Sequence, residues 1–433
     1  MKIGVHFIAR RLLTRADANN GQVRHASVFR CADGFTAMAG RAVNGTEFIV
    51  WDEEESAESF VRRVDVLVGI PDIRLLRARE RVPIPPPYLM LVMGNATRAI
   101  PFARPVMEML RREDTLVTSC AADIGVLELF LEAPTADSIS RAPMPSDLSR
   151  FIPTSASPPL AQRLSEIAPE RPIILSAERF NRGKGVHRAL PMVEHLRNEG
   201  HQPVLVFLGA ESDPAGRAYQ QQVDDDLRKR GLADSTVFLP FLDTTALAGV
   251  YARANVALSV STIYDNNFGY VPIEALAAGT PSIATDWGGY RDVVIDGVTG
   301  VRIPTTLRRD GTVDIDLAAT IPTVSALLTD DARYEAMVTA GQHHLEDSFS
   351  VAASQRIYSE LALMACDRVP SDLQPWRSTE LAKIAVRSRW VAQTDNADRT
   401  ARILRGTHVP GTDYFRIRQA IYSHYATNTE DES

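Results

Sequence analysis

Cysteine, lysine, positive net charge and long apolar runs are what this sequence has least of. Its three cysteines, Cys31, Cys120 and Cys366, are scattered without Cys-x-x-Cys spacing. That argues against a disulfide framework or a zinc site and for a reducing compartment. Their expected role is that of small buried hydrophobes. The formal net charge is -7, and no basic stripe interleaved with aromatics occurs, so a nucleic-acid partner is not expected. No run of about eighteen apolar residues is present, and residues 1–5 lead straight into a strand rather than a signal peptide. The expectation is a soluble, cytoplasmic protein with no integral membrane segment; Arg10-Arg11-Leu12-Leu13 is the one stretch that leaves room for peripheral contact with the inner face of a membrane. The first strand lacks a GxGxxG fingerprint, which speaks against an NAD-dependent dehydrogenase. Of 47 basic residues only Lys2, Lys184, Lys229 and Lys383 are lysine. A lysine kept against that bias suggests a place where a compact ammonium serves better than a guanidinium.

What is there is enough apolar sequence for two cores. At 433 residues and 45% hydrophobic content, the chain accommodates two domains with a tail left over. Short apolar runs at residues 3–8, 35–40, 48–51, 64–69 and 88–93 read as strands of a first parallel sheet, with a helical pattern over residues 23–32. Residues 154–172, rich in Pro, Ser and Ala, read as a linker. Runs at 173–176, 204–209, 237–241, 256–260 and 281–285 alternate with helical segments, the pattern of a doubly wound parallel sheet. Residues 314–328, 330–344 and 350–364 read as helices. The expected fold class is α/β, with two Rossmann-like doubly wound domains over residues 1–165 and 166–370 and a helical tail over 371–433.

The richest stretch is residues 264–292, YDNNFGYVPIEALAAGTPSIATDWGGYRD. Gly269 allows a tight turn, after which the backbone N–H groups of Phe268, Gly269 and Tyr270 open a helix, where an anion is favoured. Glu274 lies one turn in, Gly279 ends the helix, and a buried strand comes next with Gly288-Gly289 at its carboxyl end, where open α/β sheets bind ligands. As a lone glycine loop this would be ordinary αβ punctuation. The full string resembles the donor-site signature of retaining, family 4 type GT-B glycosyltransferases (glycosyl transferases group 1). Phe268-Gly269, Pro272, Glu274, Ala275, Gly279, Pro281, Gly288, Gly289 and Asp292 fall in the signature's places. The first of its two carboxylates is replaced by Asn266, with Asp265 adjacent.

The resemblance implies a GT-B fold, two domains facing across a cleft with the C-terminal helix returning onto the first, and transfer of a sugar from a nucleoside-diphosphate sugar to an acceptor hydroxyl on a small molecule, a saccharide or a lipid carrier. It implies no cofactor and no metal. Such chemistry needs fixed cations beside the departing diphosphate, and Arg179 and Lys184, flanking a glycine turn after the strand at 173–176, meet that need; two surface cations are the plainer alternative. Glu274 corresponds to the carboxylate that accepts from ribose hydroxyls, and Asn266 to the group beside the donor sugar. Gly21 corresponds to a point of close backbone approach in the first loop. Phe238 and Phe241 either line a nucleobase pocket or end a strand. His25 could reach an acceptor hydroxyl, and a structural role is the commoner one. Asp224-Asp225-Asp226 imitates a DxD metal motif but has Arg228, Lys229 and Arg230 behind it, as a solvated helical face would. Asp314 and Asp316 read as caps of the helix after them, and His343-His344 as surface residues. Alternatives that keep the phosphate site are a sugar-nucleotide epimerase, a phosphorylase, or a non-catalytic nucleotide-sugar-binding subunit.

Overall fold

A computed structural model of the chain describes residues 1–6, 27–40, 42–92, 109–132, 138–153, 161–162, 164, 166, 168–180, 182–209, 214–263, 266–368, 377–379 and 413–430. They form two compact units, Met1–Asp147 with Glu346–Ala392 and Leu148–Leu345 with Gln393–Ser433. In the first unit, β1 (Lys2–His6), β2 (Glu47–Val50), β3 (Val66–Gly69), β4 (Tyr88–Leu91), β5 (Thr115–Thr118) and β6 (Ile139–Arg141) make one parallel sheet in the order β2-β1-β3-β4-β5-β6. All residues of β3, β4 and β5 are buried, which is why these strands read as unbroken apolar runs rather than alternating ones. The helices are α1 (Ser27–Met38), α2 (Ala57–Arg62), α3 (Ile73–Arg79) and α4 (Ala121–Phe130). Asp72 caps α3, its Oδ1 accepting from the amide of Arg74 at 2.7 Å.

Residues 35–40 are not the strand their alternation suggests; most of them belong to α1. Cys31, Phe35 and Met38 are all buried, and their spacing of four and three puts them on one helical face, so the longer period outweighs the local alternation.

In the second unit, β7 (Ile173–Ser176), β8 (Val204–Leu208), β9 (Thr236–Leu239), β10 (Val256–Ser259), β11 (Ser282–Thr285) and β12 (Gly300–Ile303) form a parallel sheet in the order β9-β8-β7-β10-β11-β12. Strand order therefore reverses between β7 and β10. The intervening helices are α5 (Leu190–Asn198), α6 (Pro214–Lys229), α7 (Thr244–Arg253) and α8 (Tyr270–Ala277), with α9 (Asp331–Ser348), α10 (Val351–Cys366) and α11 (Asp413–Tyr425) later in the chain. Met192, Val193 and Leu196 of α5 pack with Ile174, Leu205, Leu258 and Ile283 of the strands in one buried core.

These units divide the chain differently from the expected blocks 1–165, 166–370 and 371–433, and side chains explain the difference. Phe151, buried, sets its ring 6.2 Å from that of Tyr251 on α7, which assigns residues 148–151 to the second core. Helix α10 joins the first unit: Gln355 Nε2 donates to the Met38 carbonyl at 3.0 Å, and the Tyr358 hydroxyl to the Pro143 carbonyl at 3.3 Å. The last helix, α11, packs within the second unit. Its Tyr422 and Tyr425 rings lie 5.1 and 5.8 Å from Trp287. Among the described residues no helix is long and apolar enough to cross a membrane.

Candidate functional site

In an open parallel sheet the carboxyl ends of the two strands where order reverses leave a crevice between oppositely directed connections. Here those strands are β7 and β10, and the segments leaving their carboxyl ends meet on one carboxylate. Glu178, two residues beyond β7, is buried. Its Oε1 accepts from the Ser259 hydroxyl at the end of β10, at 3.3 Å, and from the hydroxyl of Tyr290; its Oε2 lies 3.1 Å from Lys184 Nζ. Lys184 also donates to Asn266 Oδ1 at 3.3 Å, and its side chain is 15% exposed. An ammonium only donates, so the amide of Asn266 must turn its oxygen toward the lysine. Burial pushes the Glu178 carboxyl upward, but the Lys184 charge and the Tyr290, Lys184 and Ser259 hydrogen bonds outweigh it and hold the group below its ordinary value. Burial, then the neighbouring Glu178 charge, drives the Tyr290 phenol well up, so it stays a donor.

The turn that carries Lys184 runs through Gly185, whose φ of +63° lies in the left-handed region. A second left-handed glycine, Gly269 with φ +92°, stands at the N-cap of α8 and offers no side-chain cap to the first amides. Glu274, one turn into α8, is buried and accepts from the Tyr251 hydroxyl at 3.3 Å. It is therefore not an ordinary exposed helix glutamate. Phe268 and Tyr270 meet edge to face at 4.8 Å.

Gly288 and Gly289 serve backbone packing. The Gly288 amide donates to the Tyr425 carbonyl at 3.0 Å, and a Cβ at Gly288 would lie 2.5 Å from the Tyr425 ring. The Gly289 amide donates to the Asn266 carbonyl at 2.8 Å, and a Cβ there would lie 2.4 Å from the Asn267 carbonyl carbon. The pair thus lets residues 266–268 and α11 close on the end of β11. Gly289→Ala is expected to push that loop outward and cost about 1–3 kcal/mol, as overpacking of a close-packed site does. A thermal melt checks it; an unchanged midpoint would show that the loop gives way without cost.

Of the other residues singled out from sequence, Arg179 is exposed and has no ion-pair partner among the described residues, so it stands apart from the Glu178 network. Phe241 lies against Gly209 at the end of β8, where a Cβ would be 3.2 Å from its ring, while Phe238 joins Phe180 and Phe207 at 5.8 and 5.5 Å as part of an aromatic cluster. Gly21, His25 and Asp265 lie outside the described residues. Arg228 pairs with Asp224 and Asp225 and Lys229 with Asp226 along one exposed face of α6. Asp316 Oδ1 accepts from the Ala319 amide at 3.1 Å, as a cap does, whereas Asp314 lies in the strand Val313–Ile315 and pairs with Arg308. Among the described residues no group of three or more His, Cys, Asp or Glu gathers as a metal site. Sequence reasoning missed Glu178, Tyr290 and Ser259. It also missed Arg188, whose Nη1 donates to Thr262 just beyond β10 at 2.8 Å. A carboxylate two residues beyond a short buried strand was the signal available for Glu178.

Comparison with known proteins bears on this arrangement. Residues 161–315 match the family described as glycosyl transferases group 1. A glycogen synthase of Mycobacterium tuberculosis is 28% identical over 273 residues, covering 62% of this chain and 58% of that protein. A D-inositol 3-phosphate glycosyltransferase of Xylanimonas cellulosilytica is 29% identical over 302 residues, covering 65% and 68%. The chain thus spans less than two thirds of the length of the glycogen synthases it matches. Among solved structures, Anabaena HepE in complex with UDP superposes with a TM-score of 0.59 at 13% identity, over 84% of this chain and 99% of that one. Two parallel-sheet α/β units thus give the chain the GT-B fold, and residues 161–315 of it are similar to the glycosyl transferases group 1 family.

Proposed function

We propose that the protein is a retaining glycosyltransferase that moves a sugar from a nucleoside-diphosphate sugar to an acceptor hydroxyl without a bound metal. The observation that carries this reading is Lys184, held at the β7–β10 reversal between Glu178 and Asn266. The second sheet there ends in cations and left-handed glycine turns, the chemistry of a phosphate cradle. The donor diphosphate lies against Lys184, Arg179 and the first amides of α8; the base rests near Phe241; Glu274 accepts from the ribose hydroxyls. Anabaena HepE has been solved with UDP and with UDP-glucose, which favours a diphosphate donor of that kind.

In the reaction the bond from the anomeric carbon to the diphosphate breaks, a bond to the acceptor oxygen forms on the same face, and the acceptor's proton passes to the departing phosphate oxygen. The protein's part is to stabilise the charge that develops on that phosphate. Asn266 brings no charge to the sugar, and its oxygen is directed to Lys184.

A thermal-shift panel of UDP, ADP, GDP and their common sugars tests the reading. At a ligand concentration about 100 times Kd the matching diphosphate should stabilise the protein by about 2.7 kcal/mol. A panel in which no diphosphate raises the melting midpoint would remove the donor site. Turnover with donor alone separates the rivals: an epimerised sugar without acceptor would make the protein an epimerase, and binding without turnover under any acceptor would make it a binding subunit.

A further inference from the structure

We infer that Glu178 is a positioning residue: it fixes the ammonium of Lys184 from beneath and so governs diphosphate binding without touching the ligand. The inference rests on the donor-site reading above and adds a residue to it. Its starting point is a buried carboxylate whose partners all come from elsewhere in the chain than its own strand. A carboxylate two residues beyond an apolar strand, 5% exposed, loses its hydration, and an apolar side chain would fill the same place without that loss. The network accounts for what the carboxylate adds. Ser259 and Tyr290, which are 81 and 112 residues away in sequence, both donate to Oε1. Their hydroxyls orient the carboxylate, and the other oxygen, Oε2, is turned to the ammonium.

The effect on Lys184 comes from its chemistry. A lysine on a flexible four-carbon stem carries about 2 kcal/mol of rotamer entropy, and an anion arriving at an unfixed ammonium must bear that ordering. Here the ordering is done before the ligand arrives. Two of the donor directions point to Glu178 and Asn266, from different connections of the sheet, at 3.1 and 3.3 Å. The Asn266 contact ties the glycine turn at residues 183–185 to the loop that begins at Asn266, so the two parts of the cradle are joined through one ammonium, which the carboxylate holds. Arg179, adjacent in sequence to Glu178 but exposed, shares none of this.

The test is a double-mutant cycle read by calorimetric binding of UDP, ADP and GDP to the full chain. With the tightest of the three, Glu178→Gln should weaken binding about tenfold, the scale of one hydrogen bond to a charged group. Tyr290→Phe, which keeps the ring and removes one orienting hydroxyl, should weaken it about threefold, at the low end of a hydrogen bond's contribution. Placed in a Lys184→Ala background, Glu178→Gln should add no further loss, because the group it acts through has gone. A merely structural role would give the same loss with or without the lysine. Unchanged binding by both Glu178→Gln and Tyr290→Phe, or a full Glu178→Gln loss persisting in the Lys184→Ala background, overturns the inference alone. Failure of the unsubstituted protein to bind any of the three diphosphates overturns the donor reading and this inference with it. Should Glu178→Gln not fold, the cycle is run with Tyr290→Phe, which must likewise fall silent without Lys184.

Discussion

Lys184→Ala is expected to lower sugar transfer by about a hundredfold or more, the scale at which enzymes lose rate when one preorganised donor to a developing oxyanion is removed. The magnitude reflects where the charge sits. An ammonium in open water would be screened and worth little, whereas Lys184 is 15% exposed and pinned between Glu178 and Asn266, so its field on a phosphate is weakened less by solvent. Release of nucleoside diphosphate from the sugar donor, monitored with and without acceptor, measures the loss. Lys184→Arg should restore little of it. The guanidinium is larger and planar, and the site is bounded by a buried carboxylate and a buried amide. Rates within threefold of the unsubstituted protein would sink the assignment of Lys184 to the diphosphate. Arg179→Ala provides the comparison. As an exposed cation outside the network, it would order on ligand contact, and its loss should show first in donor affinity.

How far the sequence foretold this arrangement depends on the range over which each feature is encoded. Strands β7, β8, β10 and β11 are buried throughout, so their composition alone marks them, and the parallel alternation is set by helical segments of adequate length between them. Residues 35–40 misled because a six-residue window shows alternation while the helical face needs Cys31 to be seen. At the site, Gly269 and Lys184 were legible because each is an exception to a local rule: a left-handed backbone and a lysine in an arginine-rich chain. Glu178 was not. Its neighbours Ser259 and Tyr290 are brought to it by the sheet, and no spacing in the sequence announces them. The glycine pair shows the converse. Gly288 and Gly289 were legible as places without side chains, but what fills the space is the backbone of residues 266–268 and the Tyr425 ring, which only the fold supplies.

The second large effect is one of stability and belongs to the first unit. Asp114, fully buried ahead of β5, accepts at Oδ2 from Arg79 Nη2 at 2.8 Å and from the Arg111 amide at 2.8 Å, and at Oδ1 from the Tyr88 amide at 2.7 Å. Arg79, 1% exposed at the end of α3, also donates to the Met109 carbonyl at 3.0 Å. Asp114→Ala therefore leaves a buried guanidinium, the amide that opens β4 and the Arg111 amide of the turn before β5 without this acceptor. Removing one partner of such a pair costs about 3–5 kcal/mol, which in a unit of this size is a fall in melting midpoint of roughly 6–20 °C. Desolvation lowers the Arg79 pKa, and the facing Asp114 charge and hydrogen bonds outweigh it and raise the group above its ordinary value; the variant loses that support, yet a guanidinium keeps its proton in proteins, so the stranded side chain stays charged. Arg79→Met with Asp114→Leu should be much less destabilised than Asp114→Ala, because removing both charges removes the desolvation cost together with the attraction. Scanning calorimetry on the single and double variants decides it: a double variant no more stable than Asp114→Ala would mean that the Tyr88 and Arg111 amides left without an acceptor, not the buried charge, set the cost. Diphosphate binding measured well below the transition is expected to be the same in all of them: Arg79 and Asp114 belong to the first unit, and the residues proposed for the donor, Lys184 and Glu274, to the second.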